Sequence, residues 1–139
     1  MMTPDQLARL HARAFAGQGR AWSAPEFADL LASAHVFRVG DTSSFALGRV
    51  IAGESELLTI ATDPDQQRRG LGRTSLRAYE AAAKDRGAEI SFLEVARDNN
   101  AALALYLAEG YAEIACRKGY YTRQDGHQVD ALILQKLLL

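Results

Sequence analysis

The chain has 139 residues, 48% hydrophobic and 24% charged, a composition typical of one globular domain with its own core. Sixteen Lys and Arg residues against seventeen Asp and Glu give a formal charge of −1, which argues against nucleic acid and anionic membrane surfaces as partners. The single cysteine, Cys116, excludes an intramolecular disulfide and a cysteine-based zinc site. Because no apolar run approaches the roughly 20 residues of a membrane span and no signal peptide is visible, we expect a cytoplasmic protein with one domain over residues 1–139.

Two helices are predicted at the start of the chain. Thr3-Pro4-Asp5-Gln6 and Ser23-Ala24-Pro25-Glu26 each combine an N-cap hydroxyl, a proline in the first turn and a Gln or Glu placed to close a capping box. Apolar residues at helical spacing follow each start. Gly17-Gln18-Gly19 is expected to end the first helix.

The rest of the chain alternates between strand and helix patterns. Runs of β-branched and aromatic residues predict an antiparallel meander of three strands, over residues 35–39, 45–52 and 56–61. The elements predicted after it are a helix over 71–86, a strand over 90–95, a helix over 99–109, and strands over 111–116 and 129–137 joined by a polar loop. This order predicts an α/β or α+β fold with a mixed sheet and helices on both faces.

A glycine-rich loop lies where the long helix is predicted to begin, and reads Gln67-Arg68-Arg69-Gly70-Leu71-Gly72-Arg73-Thr74. The free N–H groups and dipole of a helix start attract anions, and glycine lets the backbone approach phosphate oxygens closely. Three arginines there are unfavourable unless an anion is bound. A tight turn without a ligand is the alternative explanation of the glycines.

Two common nucleotide motifs do not fit. A dinucleotide fingerprint needs a third glycine where Ser75 stands, and a parallel βαβ unit where the meander is predicted. A Walker A loop built on Gly48 and Gly53 would have Glu54 in place of its lysine, and a carboxylate repels phosphate.

The loop resembles the pyrophosphate-binding motif Arg/Gln-x-x-Gly-x-Gly/Ala of the GCN5-related N-acetyltransferase (GNAT) superfamily. Further segments resemble the superfamily in order and spacing: residues 57–64, Phe92-Leu93-Glu94-Val95 with Asn99 and Asn100, Ala104-Leu105-Tyr106, and Glu109-Gly110-Tyr111. The resemblance implies the GNAT fold, acetyl-CoA as co-substrate and no metal. It also implies that the family's first strand is absent, since a helix start lies at Thr3.

Within the superfamily the chain resembles the RimI subfamily, at Ala21-Trp22-Ser23, Gly119-Tyr120-Tyr121 and Asp125-Gly126 with Asp130-Ala131. That resemblance implies acetylation of the N-terminal α-amine of a protein, a ribosomal protein in particular, by direct attack in a ternary complex. Two alternatives stay open from the residues: acetylation of a small-molecule amine, and an acyl-CoA-binding module without transfer activity.

The resemblance also implies roles for individual residues. Glu94 would be the general base, directly or through water, and Tyr106 would protonate the CoA thiolate. Asn99 would contact CoA, as would the residues of the loop from Gln67 to Thr74. From the residues alone, Glu94 is equally a surface carboxylate, Tyr106 a partly buried aromatic and Asn99 a helix cap.

The remaining expectations concern the acyl group, the acceptor and the side chains that bind metals elsewhere. Backbone N–H groups near Ile60, Ala61 and Thr62 are expected to face the thioester oxygen beside a β-bulge that relatives carry there. Trp22, Tyr120 and Tyr121 either line the acceptor cleft or pack in the core. The three histidines share no metal-ligand spacing and are interpreted as structural or exposed, and Cys116 as a small buried apolar residue.

Overall fold

The structure, a computed structural model, describes residues 2–15, 21–67 and 69–139. The helices are α1 (Pro4–Ala14), α2 (Ala24–Leu31), α3 (Leu71–Asp85) and α4 (Asn100–Ala108), with a short 3₁₀ turn at Pro64–Gln66. The strands are β1 (Val36–Gly40), β2 (Ser44–Ile51), β3 (Glu54–Thr62), β4 (Ile90–Ala96), β5 (Ala112–Thr122) and β6 (Gln128–Leu137). The predicted mixed-sheet fold and its order of elements are confirmed.

The first two helices begin as local chemistry requires. The Thr3 hydroxyl accepts from the Gln6 N–H at 3.2 Å, and the Gln6 side chain accepts in return from the Thr3 N–H at 2.8 Å. Ser23 and Glu26 form the same reciprocal pair at the start of α2. The predicted stop at residues 17–19 lies outside the described residues.

The described strands form one sheet in the order β1-β2-β3-β4-β6-β5. Neighbouring strands are antiparallel except β3 and β4, which run parallel. The β3–β4 pairing covers only Glu54–Glu56 against Ile90–Phe92, so the two strands separate beyond that point. This separation opens a gap in the middle of the sheet.

Helices pack on both faces of the sheet. One core joins α3 and α4 to one face and includes Leu76, Tyr79, Leu93, Val95 and Tyr106. The other joins α1 and α2 to the opposite face of β2 and β3 and includes Leu7, Phe27, Phe45, Leu47 and Ala61. The sheet is therefore the middle layer, and its gap connects the two sides.

Three features of the strands differ from expectation. The final hairpin is longer than predicted, because β5 continues to Thr122 and includes residues assigned to a polar loop. The β3 bulge lies at Leu58, since Leu47 pairs with Thr59 while Gly48 pairs with Leu57. It therefore precedes Ile60 by two residues. Cys116 is half-buried rather than fully buried, and the Arg97 guanidinium donates to its Sγ at 3.7 Å.

Candidate active site

The gap between β3 and β4 exposes backbone groups of β3. The Asp63 N–H donates to the Ser43 carbonyl at 2.7 Å, so this pair is bonded across the ladder. Bonded and non-bonded pairs alternate in an antiparallel ladder, which directs the N–H groups of Thr62 and Ile60 away from β2 and into the gap. The same alternation turns the Ala61 N–H towards β2. Of the three predicted amides, Ile60 and Thr62 are thus the ones placed to meet a ligand in the gap.

The glycine-rich loop ends at an uncapped helix start. Gly70 is the N-cap of α3 with a left-handed φ of +74°, and no side-chain hydrogen bond caps the helix. A Cβ built on Gly70 has no neighbour within 4 Å, so this position is open to a ligand. The first helical bond there runs from the Thr74 N–H to the Gly70 carbonyl, which leaves the preceding amides free for an anion. These features fit a pyrophosphate group.

The predicted phosphate-binding side chains differ in their surroundings. Gln67 and Arg69 are exposed beside the loop, and Arg68 lies outside the described residues. The Thr74 hydroxyl donates to the Gly70 carbonyl at 3.0 Å. The Arg73 guanidinium lies 3.3 Å from a carboxylate oxygen of Glu109, which also accepts from Arg77. The charge of Arg73 is therefore partly neutralised by Glu109.

A small hydroxyl cluster fixes the start of α3 against the sheet. The Ser44 hydroxyl lies 2.7 Å from that of Ser75 on α3 and 3.0 Å from that of Thr62 on β3. Hydroxyls within hydrogen-bond distance hold the two elements in one register. These contacts join the start of α3 to the edge of the gap at Thr62.

Tyr106 lies on α4, in the core that packs on one face of the sheet. Its side chain belongs to that core, the residue is 5% exposed, and no hydrogen bond to its hydroxyl is present among the described residues. Burial raises the pKa of Tyr106 above its ordinary value of 10.0, so the phenol keeps its proton at neutral pH. No fully buried side-chain oxygen of the described residues lacks a hydrogen-bond partner, so the unpaired Tyr106 hydroxyl keeps some access to solvent and is open to a ligand.

Asn99 caps the helix that carries Tyr106. Its side-chain oxygen accepts from the Ala102 N–H at 3.3 Å, so the capping role weighed from sequence is present. The side-chain amide nitrogen is not used in that bond. Asn99 can therefore cap α4 and still donate to a cofactor.

Glu94 lies on the opposite face of the sheet from Tyr106. Leu93 and Val95 point into the α3–α4 core, and the alternation of a strand turns Glu94 to the other side. Its side chain is 32% exposed. The Tyr121 hydroxyl donates to Oε2 of Glu94 at 2.9 Å, and the Arg117 guanidinium lies 3.7 Å from Oε1. The carboxylate is thus held at the mouth of the gap while remaining accessible.

The three aromatic residues predicted to line the acceptor cleft separate into two groups. Tyr120 and Tyr121 lie on β5 with ring centroids 5.2 Å apart, next to Glu94. Trp22 packs in the α1–α2 core, stacked on His11 at 5.2 Å and tilted against Phe27 at 5.6 Å. The two tyrosines therefore lie on the same side of the sheet as Glu94, whereas Trp22 has a packing role.

Two residues near the site were not singled out from sequence. Arg123 donates to both carboxylate oxygens of Asp98 and lies 5.6 Å from the centre of the Tyr121 ring. These contacts tie the end of β5 to the loop after β4. Their members are 25 residues apart, so no local spacing could have indicated them.

A buried hydroxyl network holds β3 and β4 together where they still pair. The Tyr79 hydroxyl donates to Ser55 at 3.0 Å and lies 2.8 Å from the Ser91 hydroxyl, which in turn lies 2.8 Å from that of Tyr111. Ser55 donates to the Ile90 carbonyl at 2.8 Å. Because this network joins β3 and β4 where they pair, the gap opens only beyond Glu56 on β3 and Phe92 on β4.

His11 shows no arrangement for metal binding. Its ring lies 1% exposed between Thr59, 3.1 Å from Nε2, and the Trp22 N–H, which donates to Nδ1 at 3.1 Å. Across residues 2–15, 21–67 and 69–139, no three His, Cys, Asp or Glu side chains are grouped so as to hold a metal ion. Within the same residues, no helix combines the length and apolarity needed to cross a membrane.

The fold, the uncapped phosphate loop and the split strands together define an acetyl-CoA-type acyltransferase site. The chain belongs to the Acetyltransferase (GNAT) family, whose model matches residues 6–111.

Individual relatives point to one group within that family. The chain is 41% identical over 95 residues to the ribosomal protein bS18-alanine N-acetyltransferase of Escherichia coli strain K12, an alignment that covers 68% of this chain. It is 39% identical over 126 residues to the N-alpha-acetyltransferase RimI of Mycobacterium tuberculosis, covering 84% of this chain and 77% of that protein. The crystal structure of the Escherichia coli ribosomal-protein-S18-alanine N-acetyltransferase superposes with a TM-score of 0.86 at 32% identity, covering 97% of this chain and 87% of that one. The chain spans 64% of the length of the first of these relatives.

Proposed function

We propose that this protein is an acetyl-CoA-dependent N-acetyltransferase that acts on the N-terminal α-amine of a protein, with a ribosomal protein as acceptor. The observation that supports the proposal is that Tyr106 and Glu94 lie on opposite faces of a sheet whose central strands separate. Two substrates that enter from opposite faces meet inside such a gap. This favours direct attack in a ternary complex over transfer through the enzyme.

On the α3–α4 side, the chain's own groups suit the cofactor. The amides at the start of α3 would hold the pyrophosphate, and the N–H groups of Ile60 and Thr62 would stabilise negative charge on the thioester oxygen. The Tyr106 phenol would donate to the departing thiolate sulfur. Since the raised pKa of Tyr106 lies above that of a thiol near 8.5, complete proton transfer is uphill and hydrogen bonding supplies most of the effect.

On the other side, Glu94 would accept the proton that the amine loses on attack, directly or through one water. An α-amine has a pKa near 8 and is already partly neutral at physiological pH, whereas a lysine amine near 10.4 needs far more assistance. The α-amine therefore needs less help from a general base than a lysine amine does. The names of the bS18-alanine N-acetyltransferases agree with this acceptor class, and a ribosomal acceptor would place the reaction in the cytoplasm.

The test is a thiol-release assay with acetyl-CoA against matched peptides. One set begins with a free Ala or Ser, including a peptide that copies the N-terminus of bS18, and the other set is N-terminally blocked with an internal Lys. We expect turnover on the free N-termini alone. Acetylation of blocked Lys peptides alone would contradict the proposed acceptor, and preference for a polyamine, aminoglycoside or amino acid would favour the small-molecule alternative.

Glu94→Gln tests the base in the same assay. We expect kcat to fall about 100-fold while the affinity for CoA is kept, because general-base catalysis contributes on the order of 10²–10⁴-fold. Glu113→Gln, which makes the same change at an exposed position of β5, is the control and should leave kcat within about twofold. Unchanged turnover in Glu94→Gln would remove Glu94 from this role, and CoA binding without turnover in the unmodified protein would indicate a binding module.

A further inference from the structure

The strand that carries Tyr121, β5, contains a bulge of two extra residues opposite Asp130. Arg117 pairs with Ala131 on β6, and the next paired residue, Tyr121, faces Val129. Residues 118–120 therefore oppose Asp130 alone. The bulge inserts two extra residues into β5 just before the tyrosine that contacts Glu94.

Asp130 makes the contact that closes this bulge. The Gly119 N–H donates to Oδ1 of Asp130 at 2.9 Å. Gly119 has a φ of +61°, and a Cβ there would lie 2.9 Å from the side-chain oxygen of Gln128, so a glycine suits the turn. The hydrogen bond to Gly119 is the largest cause of the lowered pKa of Asp130, which therefore accepts as a charged carboxylate.

The opposite oxygen of Asp130 holds a second partner. The Arg97 Nε lies 3.3 Å from Oδ2, and the Arg97 N–H donates to the Asp130 carbonyl at 2.9 Å. Arg97 thus orients the carboxylate without touching the bulge. Since the two oxygens have separate partners, the contact to Gly119 can be tested apart from the ion pair.

The bulge decides where Tyr121 lies. In an unbroken ladder continuing from Arg117 and Ala131, residue 119 would face Val129 and Tyr121 would pass beyond Gln128. The bulge brings Tyr121 back by two register positions, a displacement of about 7 Å along the strand. Glu94 faces Ile133 further up β6, so this displacement brings the tyrosine within reach of Glu94.

We propose that Asp130 is a positioning residue that fixes the β5 bulge through the Gly119 amide and thereby places the Tyr121 hydroxyl on Glu94. The expected effect of Asp130 on acetyl transfer rests on the proposed function. The placement of Tyr121 can be measured without any substrate. Failure of the proposed function and failure of this inference are therefore distinguishable.

The first measurement is a titration of the Tyr121 phenol by ¹³C NMR of the ring carbon that bears the hydroxyl. Burial, followed by the hydrogen bond to Glu94, raises the pKa of Tyr121 in the intact protein. In Asp130→Ala we expect that pKa to fall back towards the ordinary value of 10.0, and the Gly119 amide to exchange about tenfold faster or more. Asp130→Asn keeps an acceptor oxygen, and Arg97→Ala keeps the carboxylate, so both should retain the raised pKa and the slow exchange.

The second measurement is the kinetic consequence. Asp130→Ala should lower kcat/KM for the peptide acceptor about tenfold with the KM for acetyl-CoA unchanged, and Asp130→Asn should restore it to within about threefold. In a Tyr121→Phe background, Asp130→Ala should cost less than about twofold further, because its effect acts through the Tyr121 hydroxyl.

Far-ultraviolet circular dichroism checks that each variant is folded. If Asp130→Ala does not fold, Asp130→Ser carries the same expectations, since it keeps a polar group but ends one atom short of the carboxylate oxygens. The proposal is overturned if the pKa of Tyr121 stays raised in folded Asp130→Ala or Asp130→Ser. It is also overturned if Asp130→Ala lowers kcat/KM equally with and without the Tyr121 hydroxyl. If the unmodified protein acetylates no peptide, the proposed function fails and the phenol titration still decides the role of Asp130.

Discussion

The Tyr121 hydroxyl donates a 2.9 Å hydrogen bond to Oε2 of Glu94, which joins the end of β5 to the exposed side of β4. The pKa of Tyr121 is raised, by burial first and then by this bond, so the phenol remains a donor at neutral pH. One oxygen of Glu94 is therefore occupied. In the proposed function the other oxygen, 3.7 Å from the Arg117 guanidinium, would face the incoming amine.

Replacing Tyr121 by Phe removes this hydrogen bond and keeps the ring. A bond to a charged group contributes about 1.5–3 kcal/mol, so kcat/KM for the peptide acceptor should fall roughly tenfold or more. The KM for acetyl-CoA should not change, since Tyr121 lies on the same face as Glu94, where the proposed function puts the acceptor. Steady-state kinetics with each substrate varied in turn measures both values. A rise confined to the KM for acetyl-CoA would contradict a role of Tyr121 toward the peptide acceptor.

Tyr106→Phe tests the donor on the cofactor side. We expect kcat to fall about 10- to 100-fold, because the thiolate loses a hydrogen bond that forms as it departs. CoA binding, measured by isothermal titration calorimetry, should be nearly unchanged. Loss of a hydroxyl without a protein partner should also leave the melting temperature close to that of the parent protein. A variant with normal kcat would show that the phenol has no part in the reaction.

Gly70→Ala tests the phosphate loop. A left-handed φ costs an alanine about 1 kcal/mol, and its methyl group would project into the space expected for the pyrophosphate. The KM for acetyl-CoA should rise about tenfold or more while that for the acceptor stays constant.

Gly87→Ala is the matched control for the loop. Gly87 has a φ of +88°, has no neighbour within 4 Å of a built Cβ, and follows the far end of α3. Both variants should lose similar stability in urea, but only Gly70→Ala should lose affinity for acetyl-CoA. Equal kinetic constants in the two variants would show that the loop does not hold the cofactor.

The hydroxyl network at Tyr79 predicts sensitivity to alkali. Burial raises the pKa of Tyr79 from 10.0 to about 12, so folding favours the protonated phenol. Its contribution is fully present below pH 10 and is lost as the pH rises from 10 towards 12. Urea unfolding at pH 8, 10 and 11.5 should show the free energy of unfolding falling in this window, by up to about 1.4 kcal/mol per pH unit for each tyrosine that titrates.

Tyr79→Phe provides the comparison for that measurement. At pH 8 it should cost about 1–3 kcal/mol, because Ser55 and Ser91 lose a partner in the core. The free energy of unfolding of Tyr79→Phe should fall less steeply with pH than that of the parent protein. Some pH dependence should remain, because burial also raises the pKa of Tyr111. A slope identical to that of the parent protein would mean that Tyr79 does not titrate on unfolding.

Local chemistry made several features predictable from sequence. Both capping boxes join residues three positions apart, and the structure contains them as predicted. The glycine at position 70 marked the start of α3 for the same reason, since a left-handed residue before a helix is decided within one turn. The order of helices and strands followed from their periodicity.

The arrangement of the site was not predictable in this way, as β5 shows. Its tyrosines and Gly119 looked like a polar loop, because a bulge breaks the alternation by which a strand is identified. The hydrogen bond that the Gly119 N–H donates at the bulge is accepted by Asp130, 11 residues away, and the contact from Tyr121 to Glu94 spans 27 residues.

The sequence by itself determined that this is a small, near-neutral chain of the GNAT type with a glycine-rich helix start that resembles the family's phosphate-binding motif and an acidic residue on a central strand. The tertiary structure decided that β3 and β4 part above Glu56 and that Glu94 and Tyr106 lie on opposite faces of the sheet. It also decided that Arg73 forms an ion pair with Glu109. The physical reason is that helix caps and glycine turns depend on neighbours within one turn. Strand register, bulges and ion pairs depend on segments that meet only when the sheet assembles.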